Sequence, residues 1–269
     1  MKKVTKSVEL PNRVMLPYVE LGDPSGIPLV LLHGYADSWH TFELVLDHLP
    51  ESIHAFALTQ RGHGDASRPL AGYHPRDFAE DLAGFLDMLH LEAAVIAGGS
   101  SGGFVARRFA IDHPESTLGL VLMGSPFTLQ NKSGVIELWD TTISKLTDPI
   151  DPSFVYDFQT SFLIQSVPQA FLKTMIQESL KVPARVWKAT FKGLLEDHSS
   201  KELDQIQAPS LIIWGDRDTT LFLEDQKKLV AKIPDSQLLV YSGAGHGLYW
   251  EKPDRIAADL ASFTKSLIN

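Results

Sequence analysis

The stretch AAVIAGGSSGGFVARRF, residues 93–109, limits what this chain can fold into more than any other. It reads as a short apolar strand (93–97), a turn of small residues (98–103) and a helix whose apolar positions Phe104, Val105 and Phe109 recur at helical spacing. Its centre, Gly98-Gly99-Ser100-Ser101-Gly102, matches G-x-S-x-G. A serine at the tip of so tight a strand-to-helix turn sits in strained backbone. The residues two places to either side must lack bulk so that strand and helix can approach. Glycines at 98 and 102 meet that need.

Other uses of a glycine-rich turn fit less well. A phosphate-binding P-loop would carry Lys and Ser/Thr after Gly103, where Phe104 and Val105 stand. The dinucleotide fingerprint G-x-G-x-x-G fails because Ser100 occupies its second glycine position. On this motif alone a merely flexible turn stays open, and the rest of the chain has to decide.

With 269 residues, 44% of them hydrophobic, the chain is long enough for one large core plus an insertion. A formal charge of −9 and a pI near 5.5 disfavour nucleic acid and anionic membrane as partners, which call for clustered Lys and Arg. There is no cysteine, hence no disulfide. The lysines of MKKVTKSVELPNR have no apolar run behind them, and nowhere do about 18 apolar residues stand together, so neither a signal peptide nor a membrane span is expected. A soluble cytoplasmic protein is the expectation. No internal repeat or low-complexity segment is present, and no feature fixes an oligomeric state.

In chain order, residues 4–10 and 13–20 predict an edge hairpin around Pro11-Asn12. Residues 27–32 form a continuous apolar run, as in a strand covered on both faces. A helical pattern (about 40–48), a strand (53–58), and a helix opened by Pro75 and running over 76–90 follow, with Phe78, Leu82, Phe85, Leu86 and Leu89 on one face. After the glycine turn comes another buried strand, 118–123. This alternation predicts an α/β fold with a mostly parallel, doubly wound sheet. The alternation breaks at Gly124-Ser125-Pro126. The next 80-odd residues are rich in aromatics (Phe154, Phe158, Phe162, Phe171, Trp187, Phe191), punctuated by prolines, and show no strand pattern. Strands return at 210–214 and 237–241, with helices at about 222–233 and 253–267. The expected organisation is a core of residues 1–124 and 206–269, with a helical cap or lid inserted at 125–205.

Two late loops hold candidate partners for Ser100. Trp214-Gly215-Asp216-Arg217-Asp218 places two carboxylates just past a strand end, where open parallel sheets build their sites. Ser242-Gly243-Ala244-Gly245-His246-Gly247 places a histidine in a glycine-rich loop. A serine hydroxyl becomes a useful nucleophile when an imidazole takes its proton, and the imidazole needs a carboxylate to fix its tautomer. The order Ser, Asp, His is that of the strand-to-helix nucleophile elbow.

On these residues the chain resembles the α/β-hydrolase fold superfamily, in its serine esterase and lipase-like branch. The family's H-G-x-x-x-S stands as His33-Gly34-Tyr35-Ala36-Asp37-Ser38, its R-G-x-G as Arg61-Gly62-His63-Gly64, and its elbow as Gly98 to Gly102. Its P-x-L-x-x-x-G-x-x-D stands as Pro209 to Asp218, and its H-x-x-x-x-E-x-P as His246 to Pro253 with Glu251. The resemblance implies Ser100 as nucleophile, Asp218 as acid, His246 as base, and the backbone N–H groups of Tyr35 and Ser101 as an oxyanion hole. Asp216 is then a turn-former, and His33 and His63 shape their loops. Trp39, Met123 and Phe127 are the expected pocket side chains. No metal-ligand spacing such as H-E-x-x-H occurs, so neither metal nor cofactor is expected.

Three departures blur the subfamily. Gly99 stands where relatives often carry His or Asn and leaves the elbow less braced. Thr59 stands where many carry Asp, and the H-G-G-G form of the oxyanion loop is absent. The expected activity is hydrolysis of a small carboxylic ester or lactone through an acyl-enzyme. Relatives with the same constellation cleave carbon-carbon bonds of dienone-type compounds, make peracids without a cofactor, or serve as small-molecule receptors. Epoxide hydrolases and haloalkane dehalogenases are set aside, because they carry Asp where Ser100 stands.

Overall fold

A computed structural model describes residues 3–267. The edge hairpin pairs Val4–Glu9 (β1) with Met15–Leu21 (β2). Next come Ile27–Leu32 (β3), the helical turn Glu43–Leu46 (α1), Ile53–Leu58 (β4), Pro75–Met88 (α2), Ala94–Gly99 (β5), Gly102–Asp112 (α3) and Thr117–Met123 (β6). Four helices follow with no strand between them among the described residues: Ser133–Thr141 (α4), Pro152–Thr160 (α5), Gln169–Leu180 (α6) and Ala184–Glu196 (α7). The chain then returns through Ser210–Gly215 (β7), Leu223–Lys232 (α8), Ser236–Tyr241 (β8), Leu248–Glu251 (α9) and Pro253–Ser266 (α10).

The eight strands form one sheet in the order β1-β2-β4-β3-β5-β6-β7-β8, in which β2 runs antiparallel to both its neighbours and the other pairs are parallel. The continuous apolar runs are explained by burial on both faces. Val30 and Leu32 of β3, Ile96 of β5 and Leu120 and Leu122 of β6 join one core with Phe78, Leu82 and Phe85 of α2 and Val105 and Phe109 of α3. Leu29, Leu31, Val95, Val121 and Met123 face the other way, onto Val45 and Leu46 of α1 and Ile256 and Leu260 of α10. The two-residue period of a strand thus divides each apolar run between two helical layers.

Local chemistry sets the element ends. At the start of α2, His74 accepts from the Arg76 N–H while its own N–H donates to the Asp77 carboxylate, and Pro75 opens the first turn. The helix stops at Met88, two residues before its expected end. His90 adopts a left-handed φ of 55°, and the Leu91 N–H closes back on the Leu86 carbonyl in a Schellman arrangement. The expected helix over 40–48 is a 3-10 turn, Trp39–Phe42, followed by the single turn of α1. Pro50 closes the stretch that is open to helix, since the residue before a proline is pushed out of the helical region.

β3 lies between β4 and β5, so the chain leaves β3 outward to β4 and returns on the other side to β5. This reversal is the sheet's topological switch point, where the carboxyl ends of adjacent strands open a crevice. Leu32 at the end of β3 pairs with Gly98 in β5, which brings the loop starting at His33 alongside Ser100.

Candidate active site

Ser100 holds a left-handed backbone with φ 49°, a conformation that costs a side-chain-bearing residue about 1–2 kcal/mol. The surroundings enforce it. The Ser100 N–H donates to the Met123 carbonyl at 2.8 Å, and the Ser100 carbonyl accepts from Gly103 at 3.0 Å. A methyl group on Gly98 would stand 2.4 Å from the Gly102 carbonyl oxygen, and one on Gly102 would stand 2.3 Å from that of Leu32. Gly102→Ala is therefore expected to lower stability by about 3 kcal/mol, the upper range for overpacking, because the atoms in its way, the carbonyl oxygens of Leu32 and His33, are backbone. Urea unfolding with an unchanged midpoint would contradict this.

The late loops reach the same place. His246 Nε2 lies 2.9 Å from Ser100 Oγ, and His246 Nδ1 lies 2.8 Å from Asp218 Oδ2. A carboxylate only accepts, so Nδ1 carries the ring proton and the Nε2 lone pair faces the serine hydroxyl. The other Asp218 oxygen accepts from the N–H groups of Thr220 and Leu221, at 2.7 and 2.9 Å, so the carboxylate cannot turn away from the ring. Asp216 takes no part in this chain of bonds. Its carboxylate accepts from the Gly243 N–H at 2.6 Å and ties the β7 loop to the histidine loop.

Ser101 immediately precedes α3, whose first N–H groups have no helical carbonyl to meet. Among the described residues, the backbone N–H groups of Ser101 and Tyr35 donate no hydrogen bond. Tyr35 is held from its far end. Its hydroxyl donates to the Trp187 carbonyl at 2.6 Å, and its ring packs edge-on against Phe158, Trp187 and Phe191. His33 accepts the Gln60 N–H on Nε2 and donates from Nδ1 to the Gly34 carbonyl, while His63 Nδ1 donates to the Arg61 carbonyl. Burial pushes both imidazoles below the usual histidine range, to about 4 for His63, so they are neutral braces of the loop.

The small residue at 99 does not leave the elbow unbraced. The space a larger side chain would take is filled by Tyr249 and Phe42, 3.0 and 3.4 Å from the position of the missing methyl. Thr59 likewise has its own task, accepting the Trp39 N–H on Oγ1.

A cavity of about 30 Å³, room for one or two water molecules, adjoins Ser100 and His246. Its remaining walls include Tyr35, Asp37, Phe158, Gln159, Phe162, Tyr249 and Trp250. Trp39, Met123 and Phe127 are not among its lining residues. Trp39 stacks on His40, Met123 offers Ser100 its carbonyl while its side chain lies in the core, and the Phe127 ring lies under Lys228. The helical segment is tied down directly beside the histidine. Glu251 accepts from Ile164, Gln165 and Gly245 N–H groups, the Gly247 N–H donates to the Phe162 carbonyl, and the Phe162 ring packs 5.3 Å from that of His246.

The chain belongs to the α/β-hydrolase fold family, whose model matches residues 27–253. It is 31% identical over 281 residues to a putative non-heme chloroperoxidase of Synechocystis, covering 98% of this chain and 99% of that protein. It is also 31% identical over 253 residues to a 2-hydroxy-6-oxononadienedioate/2-hydroxy-6-oxononatrienedioate hydrolase of Pseudomonas putida, covering 88% and 87%. Among solved structures, an esterase from Rhodococcus superposes with a TM-score of 0.84 at 26% identity, covering 98% of this chain and 99% of that one. An esterase from Exiguobacterium antarcticum has the same fold, with a TM-score of 0.86 at 22% identity over 97% and 100%. No helix among the described residues is long and apolar enough to cross a membrane.

Proposed function

We propose that the protein is a serine hydrolase of small carboxylic esters or lactones, working through an acyl-enzyme on Ser100. The observation that carries this reading is the unbroken run of contacts from Ser100 Oγ through His246 to Asp218. His246 Nε2 takes the hydroxyl proton as Ser100 attacks the carbonyl, and Asp218 stabilises the imidazolium that forms. The free N–H groups of Tyr35 and Ser101 receive the negative oxygen, the second of them with the positive end of the α3 dipole behind it. His246 then returns the proton to the leaving alkoxide and activates the water that releases the acid.

In this reading residues 125–205 form a cap. Phe158 and Gln159 of α5, and Phe162 just after it, contribute walls to a cavity too small for an ester, so substrate entry requires them to move. The same serine, histidine and carboxylate serve carbon-carbon bond hydrolysis and peracid formation, and the similarity to the dienedioate hydrolase of Pseudomonas putida and to the putative chloroperoxidase supports keeping those substrates in the test.

The test joins labelling to turnover. A fluorophosphonate is expected to modify Ser100 and no other residue, and p-nitrophenyl butyrate or a γ-lactone to be turned over repeatedly where a dienone is not. Efficient dienone cleavage without ester turnover would transfer the protein to the carbon-carbon class. One slow turnover with a large ligand-induced rise in Tm would mark a receptor.

A further inference from the structure

Asp37 is a buried carboxylate with no part in the proton path just described. It sits in the loop after β3 and lines the cavity beside Ser100. A methyl group placed on Gly34 would lie 3.3 Å from Asp37 Oδ2 and 3.5 Å from Ser100 Cβ, so the carboxylate and the serine flank one small space. Its hydrogen bonds come from neutral donors, Thr41 Oγ1 at 3.0 Å and Gln159 Nε2 at 2.8 Å. Two other buried carboxylates, Asp81 and Asp197, are by contrast paired with arginine, Arg61 and Arg107 respectively. Among the described residues no Lys or Arg lines the cavity at Asp37. Its field is therefore not cancelled locally and acts on whatever enters.

We propose that Asp37 is the charge-selecting residue of this site: it repels substrates bearing a carboxylate close to the scissile carbonyl and admits neutral ones. The proposal rests on the ester-hydrolase reading of Ser100. Two unit charges about 6 Å apart at an effective dielectric of about 20 repel strongly enough for about a 100-fold preference. A dienedioate carries two carboxylates and falls in the rejected class. The titratable groups facing Asp37 are His246, which lowers its pKa slightly, and the phenols of Tyr35 and Tyr249, which burial keeps neutral. Burial outweighs the hydrogen bonds and pushes the Asp37 carboxyl up to about 6, so the repulsion is present at pH 8 and fades as the pH falls below 6.

The test is the ratio of kcat/KM for p-nitrophenyl butyrate to that for the p-nitrophenyl monoester of succinate, a pair of similar shape that differs by one negative charge. The expected ratio at pH 8 is about 100, narrowing at least tenfold in Asp37→Asn. The asparagine can keep both contacts, accepting from Gln159 and donating to Thr41. Any general loss of activity divides out of the ratio, as does protonation of His246. If the variant does not fold, wild-type protein answers alone, because the ratio is expected to narrow between pH 8 and pH 5.5. A ratio unchanged in Asp37→Asn, or flat with pH in the wild type when that variant does not fold, overturns the proposal while leaving Ser100 as the nucleophile. Failure to turn over either ester, with Ser100 unlabelled, overturns the ester-hydrolase reading and the charge selection with it.

Discussion

Ser100→Ala is expected to lower kcat for p-nitrophenyl butyrate about a million-fold, to what the remaining polar groups achieve without a nucleophile. The fold has no reason to respond. The bonds that hold the elbow run from the Ser100 N–H to Met123 and from its carbonyl to Gly103, and both are main-chain bonds that alanine keeps. The close approaches at Gly98 and Gly102 are equally untouched. The hydroxyl lost is a single group on a partly exposed residue, and its partner is His246 Nε2. The measurement is burst and steady-state release of p-nitrophenol, with thermal unfolding in parallel. Loss of turnover at an unchanged Tm supports an acyl-enzyme on this oxygen. Retention of even a tenth of wild-type activity would mean that another group attacks the carbonyl.

The sheet and the tight turn at Ser100 were legible for a physical reason: each is fixed locally, whereas the choice of Asp218 and His246 as its partners rested on the family resemblance. A strand buried on both faces must be apolar throughout, which marks residues 27–32 and 118–123 without knowledge of their neighbours. The close contacts at Gly98 and Gly102 lie within the elbow or against the adjoining strand end, so a short motif records them. The cavity walls are set by tertiary contact instead. Gln159 follows Val155 by one helical turn on the buried face of α5, a position where a polar residue signals a partner but does not name it. That partner, Asp37, is 122 positions away in the chain. Met123 shows the limit from the other side. It lies next to the serine as expected, but strand alternation sends its side chain into the layer shared with Val121 and leaves its carbonyl at the site. The position of a residue along a strand was readable, whereas the face used depended on a register settled by the whole sheet.

Asp218→Asn is expected to cost about 10,000-fold in kcat with the side chains still in contact. Asp218 Oδ1 accepts two main-chain N–H groups, from Thr220 and Leu221, and nothing there can accept a hydrogen bond from an amide. Asparagine must therefore place its carbonyl oxygen in that nest and turn its NH2 toward His246. A donor facing Nδ1 demands a lone pair on that nitrogen, so the ring proton moves to Nε2. Nε2–H then points at Ser100 Oγ, and the base that should accept the hydroxyl proton has become a donor. Geometry is preserved while the direction of the proton path is reversed, which separates this variant from His246→Ala, where the ring itself is gone. The tautomer can be read from the imidazole 15N chemical shifts. The two nitrogens are expected to exchange their protonated and unprotonated character between wild type and variant. An Asp218→Asn protein with the wild-type tautomer and wild-type kcat would remove Asp218 from the mechanism and direct attention to whichever group then orients His246.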